Sequence, residues 1–215
     1  MALTLHLRSS RNAGPELDEA AALIRAGGIV VFPTETVYGI GAGLDRLDAV
    51  ARVNELKGRP VGMPLLIHCA GLPELSTLAR TIPANAFPLF EAFLPGPLAV
   101  VLAASDLVPE ALRGPGGTVG IRVVHHPAAR ELIRRAGIPI TGSSANRHGS
   151  KATAEFSALD AGITAGADLV LDAGRCGSGL ASTVVDLTAS PPRILRAGSI
   201  TREQLEAVSG TSWER

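Results

Sequence analysis

The sequence predicts a single α/β domain, residues 1–215, in which helices pack on a mixed β-sheet. About eight short apolar runs of strand length alternate with helix-like segments, the pattern of helices packed on a twisted sheet. Some of these runs are continuously apolar and others are interrupted by polar residues, which favours a mixed sheet over a purely parallel one. The composition is 46% hydrophobic, and the 24 glycines and 15 prolines are scattered, which suits one large core without a low-complexity linker.

The elements follow from periodicity and from start and stop signals. Strands are predicted at 29–32, 64–68, 98–103, 118–124, 138–141, 168–172, 183–187 and 193–196. Helices are predicted at 15–26, 72–79 and 84–93, the last interrupted by Pro88, and from Pro127 to a stop at Gly137. Thr201 and Gln204 form a capping box for a final helix. Asp45 is expected to cap a further helix.

The apolar face of the helix after Asp45 consists of Leu47, Val50, Val53 and Leu56. This helix ends near Lys57 and Arg59, whose side chains we expect to lie outside the core because they are at a helix end.

Charge and cysteine content limit the possible functions. Lys plus Arg equals Asp plus Glu, which argues against a surface that binds nucleic acid throughout but allows a local basic site. Cys69 and Cys176 match no zinc spacing and are expected to be reduced thiols in a cytoplasmic protein. We see no signal peptide and no run near the roughly 18 apolar residues that a membrane span requires. Neither of the usual glycine-rich nucleotide fingerprints is present.

Polar side chains cluster at the ends of six apolar runs, where open α/β sheets place ligands. They are Thr34, Thr36, His68, Arg122, Ser143, Ser144, Asn146, Ser182, Thr183 and Arg196. With Lys57 and Arg59, the set holds four strong cations, and Glu35 is its only obvious acid. Such a set suits a triphosphate with a carboxylate nearby. No spacing indicates a Ser-His-Asp or Cys-His site, so the chemistry is expected to rest on positioning and charge neutralisation.

Each of these features also has a purely structural interpretation. Thr34 and Thr36 can cap a turn, and the segment 143–146 can itself be a turn. Lys57 and Arg59 can be solvated residues at a helix end, His68 can be a structural histidine, and Arg196 can be a surface residue on an edge strand. Arg122 differs because an arginine flanked by Ile121 and Val123 needs a partner if it is buried.

The order of the motifs resembles that of the L-threonylcarbamoyladenylate synthases, the YrdC-like family. The motifs are PTETVYGIGA, KGRP, PLLIH, LPGPL, GIRV, SSAN, STVVDL and ILRAGSI, and the resemblance covers residues 16–205. It implies a YrdC-like twisted mixed sheet, flanked by helices, around a concave basic cavity. It also implies the single-domain form of the family, because the chain ends soon after its last predicted helix. The chain departs from the usual family pattern at Ala99, at Val124 and at Arg147-His148.

The resemblance implies an enzyme that condenses L-threonine, bicarbonate or CO2, and ATP to threonylcarbamoyl-AMP and pyrophosphate, with Mg²⁺. A tRNA threonylcarbamoyl transferase would then use the product, with at most weak contact between this chain and tRNA. The implied L-threonine pocket consists of Thr36, His68, Arg122, Gly142 and Ser182. Arg122 would hold the threonine carboxylate bidentately. The implied ATP residues are Lys57, Arg59, Met63, Thr118, Ser144, Asn146 and Arg196. Lys57 and Arg59 would be catalytic, because they offset the charge that develops on the phosphates.

Two other functions remain open at this point. One is a related enzyme that forms a carbamoyl adenylate, as in hydrogenase-maturation carbamoyltransferases, which are much longer and cysteine-rich. The other is an RNA-binding module that uses the same cavity. Zero net charge and 3% aromatic residues weigh against that module.

Overall fold

The protein is described here from a computed structural model, which covers residues 2–7, 14–60 and 62–214. Its strands are β1 (Leu3–His6), β2 (Val30–Phe32), β3 (Gly39–Gly41), β4 (Leu66–Cys69), β5 (Ala79–Thr81), β6 (Leu98–Ala104), β7 (Thr118–Val123), β8 (Ile140–Ser144), β9 (Leu169–Asp172), β10 (Thr183–Asp186) and β11 (Arg193–Arg196). Its helices are α1 (Pro15–Arg25), α2 (Leu47–Lys57), α3 (Leu72–Leu78), α4 (Ala86–Phe93), α5 (Pro127–Ala136), α6 (Ala161–Gly166) and α7 (Arg202–Ser209). The predicted mixed α/β fold is confirmed.

The strands of the described residues form one sheet in the order β1-β9-β2-β3-β8-β4-β7-β6-β10-β11, with β5 beside β6. The pairs β1/β9, β2/β9, β4/β7 and β6/β10 are parallel, and the others are antiparallel. Strands β3 and β8, which are antiparallel to each other, lie between the parallel pairs β2/β9 and β4/β7. The middle of the sheet therefore carries side chains from chain segments about 100 residues apart, and the site is built there.

Helices cover both faces of the sheet. Val30 and Phe32 of β2 pack with α1 and α5, while Val31 belongs to a second and larger apolar cluster on the opposite face. Successive residues of a strand point to opposite faces, so the two clusters are separated by the sheet itself. No helix in the described parts of the chain is long and apolar enough to cross a bilayer.

Most sequence-predicted elements are present, and the exceptions have local causes. The glycine-rich strand β3 was not predicted because its sequence is typical of a turn. Its Gly41 is needed because a Cβ there would collide with the Thr141 carbonyl of β8. The strands β1 and β5 and the short helix α6 were also missed. Pro88 does not interrupt α4 because it lies in the first turn, where a missing N–H costs no helical hydrogen bond.

The predicted start of α2 is wrong. Asp45 does not cap this helix: the N-cap residue is Arg46, and Asp45 instead lies 3.6 Å from the Arg46 guanidinium. Leu47 is exposed, so the buried face of α2 is centred on Val50 and Val53. The capping box of Thr201 and Gln204 on α7 is present as predicted.

Candidate active site

A cavity of about 540 Å³ lies on one face of the sheet. Its lining comes from the turn after β2, the end of α2, the segment before β4, strands β4, β7, β8, β10 and β11, and the turn after β8. It includes these sequence-predicted site residues: Thr36, Lys57, Arg59, Met63, His68, Arg122, Gly142, Ser144, Asn146, Ser182 and Arg196. Ligand pockets of this size are typical of small-molecule sites.

Thr118 is the predicted nucleotide residue that the structure does not bring to the cavity lining. It begins β7, and its hydroxyl donates to the Pro115 carbonyl at 3.0 Å. This bond lies within the hairpin that leads into β7. The nucleotide contact of Thr118 stays a prediction.

His68 lies inside β4, not beyond the strand end, and is paired in register with Arg122 of β7. Its ring is 3% exposed and rests on Gly142 of β8, where any Cβ would overlap the imidazole. Burial, helped by the charge of Arg122, lowers the pKa of His68 to about 3. The imidazole is therefore neutral at physiological pH, and its buried Nδ1 has no hydrogen-bond partner in the described structure. An unsatisfied buried atom that borders a cavity is a natural contact for a ligand.

Arg122 is almost fully buried and has the partner that its position in a strand requires. Its Nη2 donates to Glu35 Oε1 at 2.8 Å and to Thr36 Oγ1 at 3.0 Å, and its Nε donates to the Gly96 carbonyl at 3.1 Å. Only Nη1 has no hydrogen bond within the described residues. The predicted bidentate grip on a carboxylate is thus not preformed, because Nε and Nη2 are already engaged.

Glu35 anchors Arg122 from outside the cavity lining. Its other carboxylate oxygen accepts from the backbone N–H of His126, which precedes α5, at 3.3 Å. Burial by itself raises the pKa of Glu35, but the charge and hydrogen bonds of Arg122 outweigh burial and leave that pKa below its usual value. Glu35 therefore stays ionised and fixes the direction of the guanidinium.

The two threonines after β2 have different roles. Thr34 Oγ1 donates to the Val37 carbonyl at 2.6 Å and accepts from the backbone N–H of Thr36 and of Val37, which is the turn-capping role weighed from sequence. Thr36 turns its hydroxyl toward Arg122. Both threonines line the cavity, but Thr34 is engaged in closing the turn, whereas the Thr36 hydroxyl contacts Arg122.

Lys57 and Arg59 are not the exposed helix-end residues that the sequence predicted. Lys57 is 2% exposed, and its Nζ donates to the Ser144 carbonyl and, at 2.5 Å, to the Asn146 carbonyl. Arg59 is half-buried and donates to the Pro64 carbonyl at 2.9 Å, but its buried Nε has no partner in the described structure. Lys57 was misjudged because the turn after β8, distant in sequence, packs over the end of α2.

Ser144 is the last residue of β8, and Asn146 lies in the turn that follows. The Asn146 amide nitrogen donates to the carbonyls of Arg147 and Ser150, which closes the turn on itself. Its Oδ1 is buried without a partner among the described residues. Of the segment 143–146, only the second half belongs to a turn, because Ser143 and Ser144 are part of β8. Both halves border the cavity.

Ser182 and Arg196 are joined across β10 and β11. Arg196 donates to the Ser182 carbonyl through Nε at 3.1 Å and to the Ser182 hydroxyl through Nη2 at 2.9 Å. Burial and the nearby charge of Arg122 lower the pKa of Arg196. The two arginines thus lie close enough to repel each other, which an anionic ligand would relieve.

Sequence reasoning missed several lining residues. Tyr38 is buried, and its hydroxyl donates to the Gly174 carbonyl at 3.0 Å. Leu195 is exposed on β11 and, with Met63, puts apolar surface at the cavity. His148, one of the departures from the family pattern, also lines it, whereas Ala99 and Val124 are buried core residues. A lone leucine in an edge strand gives no sequence signal of its own.

The cavity is cationic. Lys57, Arg59, Arg122 and Arg196 line it, and no Asp or Glu does so in the described parts of the chain. The described residues also include no cluster of three or more His, Cys, Asp or Glu side chains arranged to hold a metal. Mg²⁺ bound by protein usually needs one or two carboxylates, so this lining does not fit a protein-held Mg²⁺.

Acid should destabilise the fold through His68. Its folded pKa of about 3 lies below its unfolded value near 6.5, so in that window the unfolded chain binds more protons. Stability should therefore fall as the pH drops from 6.5 toward 3, by at most about 1.4 kcal/mol per pH unit from this group. We expect urea unfolding of a His68→Gln variant to show a shallower pH dependence than the wild type. His125→Gln, at an exposed histidine, is the control, and equal slopes in all three proteins would contradict this account.

Comparison with known proteins agrees with the fold. A family model named Sua5/YciO/YrdC, described as telomere recombination, matches residues 22–198. The threonylcarbamoyl-AMP synthase of Pyrococcus abyssi is 41% identical over 191 residues, which are 89% of this chain and 56% of that protein. The synthase of Bacillus subtilis is 43% identical over 203 residues, 91% of this chain and 57% of that protein.

A solved structure, P. abyssi Sua5 complexed with L-threonine, matches with a TM-score of 0.89 at 36% identity and covers all of this chain and 62% of that one. This chain therefore spans less than two thirds of the length of these relatives. The resemblance seen in the sequence motifs is confirmed at the level of family and fold, and the chain belongs to the Sua5/YciO/YrdC family.

Proposed function

We propose that this chain is an L-threonylcarbamoyladenylate synthase, which condenses L-threonine, bicarbonate or CO2, and ATP to threonylcarbamoyl-AMP and pyrophosphate. The observation that carries the proposal is the cavity, where four cations, hydroxyls and orphaned polar atoms meet without a lining carboxylate among the described residues. That lining suits an amino-acid carboxylate and a triphosphate together. The names of the relatives from P. abyssi and B. subtilis support the same reaction.

L-threonine would occupy the end of the cavity formed by Thr36, His68, Arg122, Gly142 and Ser182. Arg122 Nη1, the donor without a partner there, would hold the carboxylate through a charge-assisted hydrogen bond. The absent Cβ of Gly142 leaves the space that the His68 ring fills. The threonine-bound structure of P. abyssi Sua5 supports this assignment at the level of the family.

ATP would occupy the other end, beside Arg59, Met63, Ser144, Asn146 and Arg196. The unsatisfied Arg59 Nε is a donor available to a phosphate oxygen, and the unsatisfied Asn146 Oδ1 is an acceptor. The exposed side chains of Met63 and Leu195 offer apolar surface to the purine base. Because the described lining holds no carboxylate, Mg²⁺ would enter as part of the ATP complex, held by the phosphates.

The reaction on these residues needs no covalent enzyme intermediate. The threonine ammonium loses a proton, and its amine adds to CO2 to give a carbamate. A carbamate oxygen then attacks the α-phosphorus, the bond to the β,γ-diphosphate breaks, and pyrophosphate leaves. Arg59 and Arg196 would stabilise the negative charge that builds up on the phosphates, and His68 and Arg122 would hold threonine in line.

The proposed biological setting follows from the product. Threonylcarbamoyl-AMP is an activated acyl donor, so a tRNA threonylcarbamoyl transferase would consume it during tRNA modification in the cytoplasm. Any contact of this chain with tRNA would be weak, because its formal net charge is zero.

Pyrophosphate release from ATP and bicarbonate tests the proposal. We expect release that requires L-threonine and that L-valine, which lacks the hydroxyl, supports poorly. Equal release with and without threonine would instead favour a carbamoyl-adenylate former. Salt-sensitive RNA binding without any turnover would favour the RNA-binding module.

A further inference from the structure

Lys57 is one of only two lysines in the chain, and its environment is unusual for a phosphate ligand. It is the last residue of α2, followed by Gly58 in the left-handed conformation, yet its side chain is 2% exposed. Two of its three ammonium hydrogens are engaged by the carbonyls of Ser144 and Asn146. Little of its hydrogen-bonding capacity is left for a ligand.

The main chain of Lys57 holds the same turn. Its carbonyl accepts from the backbone N–H of His148 at 2.7 Å. Lys57 thus contacts the segment 144–148 at three points, through two side-chain bonds and one backbone bond. Ser144 and Asn146, the two side chains assigned above to ATP, are both carried by that segment.

Arg59 differs from Lys57 in how many of its hydrogen-bond donors are engaged. Its guanidinium keeps a buried Nε without a partner in the described structure, whereas Lys57 Nζ has two acceptors. Of these two cations, Arg59 keeps more of its donors for a ligand, because its hydrogen bonds in the described structure use Nη2 alone, whereas Lys57 keeps one of three. Burial and the charge of Arg59 also lower the pKa of Lys57 to about 8, with no lining carboxylate in the described residues to oppose them.

We propose that Lys57 is a positioning residue that acts on the nucleotide through the segment 144–148, the end of β8 and the turn that follows it, and not by contacting the phosphates. Lys57 holds this segment in place. The proposal rests on the function proposed above, since it concerns the same ATP site. It reassigns the role that the sequence resemblance implied for Lys57. The segment then presents Ser144 and Asn146 to the nucleotide, and Arg59 and Arg196 supply the charge.

Lysine NMR on the wild-type protein tests this directly. Selective ¹³Cε-lysine labelling gives two side-chain signals, and Lys151→Arg, at an exposed position, identifies which signal is Lys57. The pKa of Lys57 is measured with and without saturating Mg-ATP. If Lys57 only positions the turn, its pKa should change by less than about half a unit. A rise of about 1–3 units, expected for a new anion within contact distance, would overturn the proposal.

Hydrogen exchange gives a second readout that does not depend on turnover. In Lys57→Met, which keeps the apolar stem but removes the donors, the His148 amide should exchange at least about tenfold faster than in the wild type. In the matched variant Arg59→Ala, that amide should stay protected while ATP binding is lost. Normal His148 protection in Lys57→Met together with lost ATP binding would refute the positioning role. Failure of the wild type to bind ATP would count against the proposed function, while the exchange result would still decide whether Lys57 holds the turn.

Discussion

Replacing Arg122 with glutamine should raise the threonine concentration for half-maximal pyrophosphate release by roughly 30- to 700-fold. This corresponds to about 2–4 kcal/mol, the range for losing one partner of a buried charged hydrogen bond. The reason is that Arg122 Nη1 is the donor left free to meet the threonine carboxylate. ATP binding measured by calorimetry without threonine should change far less, because Arg122 makes no hydrogen bond to any described residue assigned to ATP.

The same substitution should also destabilise the fold, and a second variant separates the two effects. Arg122→Gln leaves the Glu35 carboxylate buried without its cation, which costs about 3–5 kcal/mol in comparable pairs. The double variant Glu35→Gln/Arg122→Gln removes that carboxylate charge and should recover much of the unfolding free energy. The threonine concentration for half-maximal pyrophosphate release should stay high in this double variant. Recovery of both properties would mean that Arg122 acts only through folding, and equal losses for threonine and ATP would also refute the carboxylate role.

The pair of Arg122 and Glu35 illustrates what the sequence can and cannot predict. An arginine inside an apolar strand predicts a buried charge in need of a partner, and this holds. Which acid forms this ion pair cannot be derived from the local pattern around Arg122, because Glu35 lies 87 residues away, in the turn after β2. The strand-end clusters likewise predicted most of the polar residues that line the cavity, because ligands bind at the ends of strands in open α/β sheets.

The failures involve packing between segments distant in sequence. Lys57 is buried because the turn after β8 packs over it, and no local pattern in α2 indicates this. The strand β3 was missed because of its glycines, of which Gly41 lets β8 approach closely and Gly39 leaves room for Phe32 of β2. In each case the missing information was a tertiary contact.

Arg59→Ala should lower kcat/KM for ATP by about 100- to 1,000-fold, the usual loss when one preorganised donor to a developing oxyanion is removed. Arg59 is the cavity cation with an unsatisfied buried nitrogen, so a phosphate oxygen would complete its hydrogen bonding. Its removal leaves no buried carboxylate behind, because its partners in the free protein are the carbonyls of Met63 and Pro64. The unfolding free energy should therefore change by less than about 1 kcal/mol.

The matched control is Arg52→Ala on α2, the helix that ends two residues before Arg59. Arg52 pairs with Asp168 on the protein surface, at 3.1 Å, and does not line the cavity. An exposed pair of this kind contributes about 0–1 kcal/mol, so this variant should keep both its stability and its ATP dependence. If Arg52→Ala and Arg59→Ala lost activity equally, loss of charge anywhere on α2 would explain the effect. The other outcome is that only Arg59→Ala loses activity while threonine binding, measured by calorimetry, is unchanged. That result would assign the phosphates to the part of the cavity where the unsatisfied Arg59 Nε and Asn146 Oδ1 lie.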